Sequence, residues 1–484
     1  MRNMSIALLL ATLTTPTLGR AQEKVDLDMV AKIRSEGLNR SHVTDTFSHL
    51  VSVIGPRLTA SPAYKAAVDW TRSTLSGWGL DNVHLEPWEF GRGWALERFS
   101  IEMLEPRYLP IVGYPKGWSP STKGKLVGAP LWLGGRSSEE LAKSAGTIAG
   151  SIVMTRPIQE DLIREDRPPA SGDLRRNVPP ASAAERQRDQ GLNALLQKEK
   201  PGVTLEPNYG EHGTIFVTGR DGGADGVPSI VLAAEHYNLI ARLLEQHVPV
   251  RLAVDVQGRF YEQDKNAYNV VAEIHGTDPT IGDEVVMVGA HLDSWHAGTG
   301  ATDNADGVSV VMESFRILKA LGVKPRRTIR MALWGGEEQG LLGSKEYVKQ
   351  HLAGDANKAA RDRFSVYFNL DNGAVPIYGF YLEGNQGMQP IMDAYLKPFN
   401  DVGAKIATMQ GIGATDHLSF LAVGLPAFQA VHDYKDYDVR THHTNMDTFE
   451  RVNPQALKQA SAVMASVLYH AAMRDAKIPR APGQ

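Results

Sequence analysis

The 484-residue sequence contains no cysteine. That excludes a disulfide framework, a thiolate metal site and a lipid anchor on cysteine. There is no basic run and no interleaving of basic with aromatic residues. With a formal net charge of −4, nothing points to a nucleic-acid partner. Long apolar runs are missing as well: the stretch 6–13 falls far short of the ~20 residues a membrane span needs. That stretch follows Arg2 and precedes the small-x-small sequence Gly19-Arg20-Ala21. Residues 1–21 therefore read as an export signal that delivers the protein to a periplasm or to the outside. A hydrophobic fraction of 42% and a charged fraction of 22% are ordinary for a soluble globular chain. At ~150 residues per domain the length suggests about three domains.

The densest information lies in residues 285–344. The run 285–290 is short and continuously apolar, as expected of a strand covered on both faces of a parallel sheet. His291 and Asp293 stand at its end. Gly-rich sequence leads on to Asp303, Asn304 and Asp306. Val308, Val311, Met312, Phe315 and Leu318 then recur at helical spacing up to Gly322. Residues 328–334 read as a second strand, with Glu337 and Glu338 just beyond it. Polar groups thus collect at strand C-termini, where open α/β sheets place their sites.

Before this stretch, Ser61-Pro62 opens a helix running to Gly77, and 82–90 reads as a strand. Arg57, in the turn Gly55-Pro56-Arg57-Leu58, either supports structure or faces a site. The composition changes after about residue 122. Short strand-like runs at 125–133, 147–155 and 214–218 are separated by Gly, Ser and Pro, and 159–207 is polar and proline-containing with a helix at 183–198. Residues 228–232, 235–247 and 248–256 complete what looks like a β-rich domain inserted at 122–260. The two flanking segments, 22–121 and 261–484, form one catalytic unit. Further strands are expected at 269–274, 365–370 and 426–431, and a closing helix at 454–473. The fold class is α/β, a doubly wound, mostly parallel mixed sheet.

Five residues have the types a two-metal site requires: His291, Asp303, Glu338, Asp371 and His443. Two imidazoles and three carboxylates suit a pair of divalent ions, zinc foremost, with cobalt or manganese feasible. A shared carboxylate offsets the repulsion between the ions, and Asp303 in the turn is the choice for it. Glu337, beside the ligand Glu338, is suited to take a proton from the attacking, metal-held water and pass it to the leaving amine. Asp293 is placed to accept the His291 imidazole N–H and orient it.

His291-Leu292-Asp293, Gly300-Ala301-Thr302-Asp303, Glu337-Glu338, Asn369-Leu370-Asp371 and His443-Thr444 resemble, in order and spacing, the zinc-site motifs of the co-catalytic di-zinc aminopeptidase/glutamate carboxypeptidase superfamily. Gly55-Pro56-Arg57-Leu58, His84-Leu85-Glu86-Pro87, Ser294-Trp295 and His442-His443 extend the likeness to its plasma glutamate carboxypeptidase branch. The resemblance spans nearly the whole mature chain and is weakest over 156–220. It implies that His291 and Asp371 serve one zinc, Glu338 and His443 the other, and that Asp303 bridges them. Glu337 is then the base, Asp293 a supporting residue, 122–260 a protease-associated-like domain, and the protein a dimer that hydrolyses short peptides.

His296 and His417 depart from that branch and leave the preferred peptide terminus open. His417 and Asp416 are candidate contacts for a substrate amine, His417 equally a loop hydrogen-bonding residue. His296 reads as pocket rim and Asp306 as a helix cap. Trp295 and Trp334 read as wall and core. Two other functions share the scaffold: a glutaminyl-cyclase-like aminoacyltransferase, usually with one zinc, and a metal-free binding protein. Retention of both ligand sets favours an exopeptidase, with dipeptides the first choice of substrate.

Overall fold

The computed structural model describes residues 23–172, 182–223 and 226–481, so the export signal expected at 1–21 lies outside the described residues. Val285–His291, Thr328–Trp334 and Phe364–Asn369 bury every residue but Arg330. They lie parallel at the centre of an eight-stranded mixed sheet. The spatial order is Asp81–Glu89, Asn266–Ile274, Thr328–Trp334, Val285–His291, Phe364–Asn369, Ala427–Asp433, Ala374–Tyr381 and Ile406–Thr408. Four of its seven pairings are parallel and three antiparallel.

Both faces are covered, which explains the unbroken apolar runs. Along the central strand Val286, Val288 and Ala290 enter the core that holds the Asp306–Ala320 and Pro454–Met473 helices. Val285 and Met287, on the opposite face, pack with Tyr347 and Phe420 from Leu342–His351 and His417–Leu421. Ser61 caps Pro62–Gly77 by accepting the Tyr64 N–H at 3.1 Å. Leu27–Asn39, which the sequence pattern does not announce, lays Val30 and Ile33 into the main core. Among the described residues no helix is long and apolar enough to cross a membrane.

The chain between the first two strands of this sheet builds a second β-rich block. It holds a four-stranded sheet (Leu109–Pro110, Gly93–Glu105, Arg251–Tyr261, Leu126–Gly128) and a five-stranded one (Gly113–Pro115, Ser229–Leu232, Val203–Pro207, Ile152–Met154, Leu131–Trp132). Met103, Met154, Leu205, Leu232, Tyr237 and Leu252 share its separate core. The four-stranded sheet takes Gly93–Glu105 from ahead of residue 122. That strand turns Glu97 and Arg98 to solvent, so its charges break the apolar pattern that marks the others. The run 214–218, expected as a strand, forms no ladder; Phe216 makes a single bridge to Thr444.

Candidate metal centre

Each expected ligand is delivered by the end of an element. His291 is the last residue of its strand, and Asp371 lies two beyond Phe364–Asn369. Glu337 and Glu338 follow Thr328–Trp334 across Gly335-Gly336. Gly336 adopts φ +68°, and a Cβ there would lie 2.7 Å from the Trp88 ring, so only glycine fits this turn. Asp303 sits in the Ala301–Ala305 turn before its helix, and its peptide bond to Asn304 is cis. His443 follows the Tyr437–Thr441 turn beyond Ala427–Asp433. Neighbouring strands ~4.8 Å apart bring these sequence-distant residues together.

The geometry divides around Asp303. Its Oδ1 lies 3.1 Å from His291 Nε2, which is 3.5 Å from Asp371 Oδ1. Its Oδ2 lies 3.4 Å from His443 Nε2, which is 2.9 Å from Glu338 Oε2. Donors held ~2.1 Å from a common ion in tetrahedral array are separated by ~3.4 Å. The donor spacings therefore suit two coordination shells that share one carboxylate. His291 Nε2 and both Glu338 oxygens are shut from solvent without a hydrogen-bond partner. Such buried polar atoms are costly unless something satisfies them, so this donor set fits divalent ions. His442 stands beside its neighbour, with ring centroids 3.8 Å apart. Its ring stacks on Tyr437, and one nitrogen falls within 4.8 Å of donors on Asp303 and His443.

Asp293 supports the site differently from the expectation. Its backbone carbonyl, not its carboxylate, takes the His291 Nδ1 hydrogen at 3.0 Å; the nearer carboxylate oxygen is 3.7 Å away. The chain turns directly after the strand, which brings the carbonyl under the ring. The carboxylate accepts instead from Thr59 Oγ1 at 2.8 Å and from the Glu337 and Glu338 amides at 3.3 Å each. It thus fixes the turn carrying Glu337 and Glu338. Arg57 resolves to a structural role. Buried completely, it donates to the Leu292, Gly55, Thr299 and Gly300 carbonyls at 2.8–2.9 Å and ties down the turn between His291 and Asp303.

Three supports escaped the sequence reading. Asp447 accepts from Thr302 N at 2.7 Å, Thr302 Oγ1 at 2.9 Å and Asp303 N at 3.3 Å, anchoring the turn that carries Asp303. Behind Asp371, Asn369 donates to Thr415 Oγ1 and Gln429 Oε1 at 2.7 Å, and Gln429 donates to the Asp371 carbonyl. Glu383 lies 3.2 Å from His417 Nε2 and accepts the Ile412 N–H at 3.1 Å. Only Thr-Asp and Asn-x-Asp neighbourhoods hinted at the first two; nothing local signals Glu383.

His417 is buried, its Nε2 beside Glu383 and its Nδ1 without a hydrogen-bond partner. Asp416 is 1% exposed, and neither carboxylate oxygen has a hydrogen-bond partner. Asp306 does not cap its helix: it is the first helical residue, accepting from Gly307 N at 2.6 Å and Val375 N at 3.1 Å. His296 Nε2 meets the Pro115 carbonyl at 2.8 Å, joining the first turn to the β-rich block. Trp334 is core, donating to Tyr367 Oη at 2.7 Å, and Trp295 stands edge-on to His443 at 6.0 Å.

The electrostatics are those of crowded buried acids. Burial, and then the Asp303 charge, push Glu338 up to about 7. Burial pushes Asp447 and Asp416 to about 7 and raises Glu337 well above the carboxylate range. Burial also opposes the Asp303 anion, but His291 and then His443 outweigh it and hold this carboxyl low. For His443, burial is outweighed by Glu338, which lifts it to about 9. A surplus of buried carboxylates around one guanidinium and two imidazoles calls for added positive charge.

Comparison with known proteins agrees with this geometry. Residues 269–468 match the model of peptidase family M28. Bovine carboxypeptidase Q is 27% identical over 442 residues, covering 91% of this chain and 87% of that one. The crystal structure of a peptidase M28 precursor from Shewanella amazonensis superimposes with a TM-score of 0.69 at 25% identity, over 94% of this chain and 99% of that one. BSAP, a zinc aminopeptidase from Bacillus subtilis, shares the fold with a TM-score of 0.60 at 20% identity, over 90% and 96% of the two chains. The chain is a metallopeptidase whose residues 269–468 match the model of peptidase family M28.

Proposed function

We propose that the protein is an exported di-zinc exopeptidase acting on dipeptides and other very short unblocked peptides. One observation carries the reading: the two Asp303 oxygens divide between His291 with Asp371 and His443 with Glu338. His/carboxylate donors at these spacings suit zinc, and the related BSAP is a zinc aminopeptidase. Zinc held there supplies Lewis acidity that polarises the scissile carbonyl and makes water a nucleophile near neutral pH.

The protein's own groups do the proton work. Glu337, 4.0 Å from His291 Nε2, takes the proton from the attacking water and returns it to the amine nitrogen as the C–N bond breaks. Its burial favours the protonated form and strengthens it as a base. The Asp293 carboxylate, held by Thr59, keeps the Glu337 amide in place. With His417 engaged by Glu383, Asp416 is the remaining candidate partner for a substrate ammonium.

We read the β-rich block, which the Gly93–Glu105 and Arg251–Tyr261 pairing extends beyond the expected 122–260, as a protease-associated-like insert that limits the depth of the site. Glu337 and Asp371 are only 9% and 7% exposed, which leaves little room for a long chain. Bovine carboxypeptidase Q and BSAP differ by name in the terminus they attack, so the substrate decides the matter. One dipeptide is assayed free, N-acetylated and C-amidated, with zinc present. The expected result is hydrolysis of the free form and loss on either block. Loss on one block alone makes the enzyme an aminopeptidase or a carboxypeptidase. Equal rates on all three, or efficient cleavage of casein, overturn the exopeptidase reading.

A further inference from the structure

Of the five expected ligands, His443 alone comes from a loop that the β-rich block grips on both sides. On one side Asp166 accepts the Asp436 N–H at 2.8 Å and the Val439 N–H at 3.0 Å. Next to it, the Arg167 amide donates to Asp438 Oδ2 at 3.0 Å, and the Arg167 guanidinium lies 3.3 Å from the same oxygen. Both side chains of that pair are buried, 7% and 1% exposed. The guanidinium also sits 4.0 Å above the Tyr434 ring and donates to the Gly172 carbonyl at 2.8 Å.

On the other side the extended segment 213–217 runs along the end of the same loop. Val217 N donates to the His443 carbonyl at 2.8 Å, and Ile215 N to Asn445 Oδ1 at 2.7 Å. Asn445 returns two hydrogen bonds, from its amide to the Ile215 carbonyl at 3.2 Å and from Nδ2 to Gly213 at 3.2 Å. His443 itself sits at φ +60°, a backbone conformation a non-glycine residue keeps only when its surroundings impose it. The loop's own turns supply part of that constraint; the block supplies the rest. His291, by contrast, ends a strand in the middle of the main sheet, and the block reaches only the turn beyond it, through His296 and the Pro115 carbonyl.

We propose that the β-rich block is a positioning element for one half of the metal site. Asp166 and Arg167, with segment 213–217, hold the His443 loop so that the position served by Glu338 and His443 is complete. The position served by His291 and Asp371 is set by the sheet and does not depend on the block. The proposal rests on the two-ion reading above. Groups that orient metal ligands typically contribute 10–100-fold to metal affinity, and the block acts here through the loop backbone. A shift of the block would then empty or fill one position while the other stays occupied.

The test measures zinc bound per chain against buffered free zinc, for the full chain and for Asp166→Ala, Arg167→Gln and Arg167→Gln/Asp438→Asn. Arg156→Gln, which removes an exposed pair with Asp189 inside the block, is the control. Thermal unfolding with chelator present verifies that each variant folds. The unaltered chain is expected to show two binding classes. Asp166→Ala and Arg167→Gln weaken one class by ~10–100-fold and leave the other unchanged. The double variant, which leaves no unpaired buried charge, recovers part of the loss, and Arg156→Gln matches the unaltered chain. Two unchanged classes in folded Asp166→Ala and Arg167→Gln overturn the proposal alone, as does equal weakening of both classes. Saturation of the unaltered chain at one zinc per chain removes the two-ion reading, and the proposal falls with it.

Discussion

Glu337→Gln lowers turnover of a dipeptide by ~10²–10⁴-fold and leaves metal content unchanged. The amide keeps the size of the side chain but cannot accept a proton at neutral pH. Glu337 is not among the shortest donor spacings: its Oε2 is 4.0 Å from His291 Nε2, against 3.1 Å for Asp303. Removing its charge therefore leaves both ligand sets whole. Its amide still donates to Asp293, so the turn that carries Glu338 is preserved. Metal analysis and dipeptide kinetics on the same preparation decide the matter. Near-normal turnover removes Glu337 from the mechanism; lost metal makes it a ligand.

Asp303→Ala abolishes turnover and leaves at most one ion per chain. Two dications ~3.5–4 Å apart repel by on the order of 10 kcal/mol even in an effective dielectric of ~20, and the shared carboxylate is what offsets this. The two acids nearest in the chain and in the turn's own hydrogen bonds are already engaged. Asp306 is committed to the Gly307 and Val375 amides, and Asp447 to Thr302 and Asp303. The backbone of the turn remains anchored by Asp447 on Thr302, so the loss is local and folding survives. A variant that still binds two ions with unaltered affinity contradicts the bridging role.

Much of the site was legible because strands buried on both faces are legible. Val285–His291 and Thr328–Trp334 are continuous apolar runs, and their ends carry His291, Glu337 and Glu338. The helix at Asp306–Ala320 shows its period, and the candidate ligands fall where the pattern stops. Gly93–Glu105 was not legible, since a half-exposed strand carrying Glu97 and Arg98 has no continuous apolar run.

The supporting residues escaped for a different reason. Asp447 acts across 145 residues on Thr302, and Glu383 across 34 residues on His417. No local spacing encodes such contacts. Asp293 shows the converse limit. Its proximity to His291 in sequence is real, but the backbone turn decides which of its oxygens reaches the ring. Arg57 could be named in advance but not placed, because four carbonyl acceptors from three chain segments define its pocket.

The central claim is that two ions share Asp303 and are both needed for peptide hydrolysis. The most direct test is to strip the protein with a chelator and add zinc back in steps, following bound metal and dipeptide hydrolysis together. Hydrolysis that reaches its full rate only as the second zinc per chain binds is the predicted result. Full hydrolysis by the stripped protein, or a plateau of both signals at one zinc per chain, would contradict it.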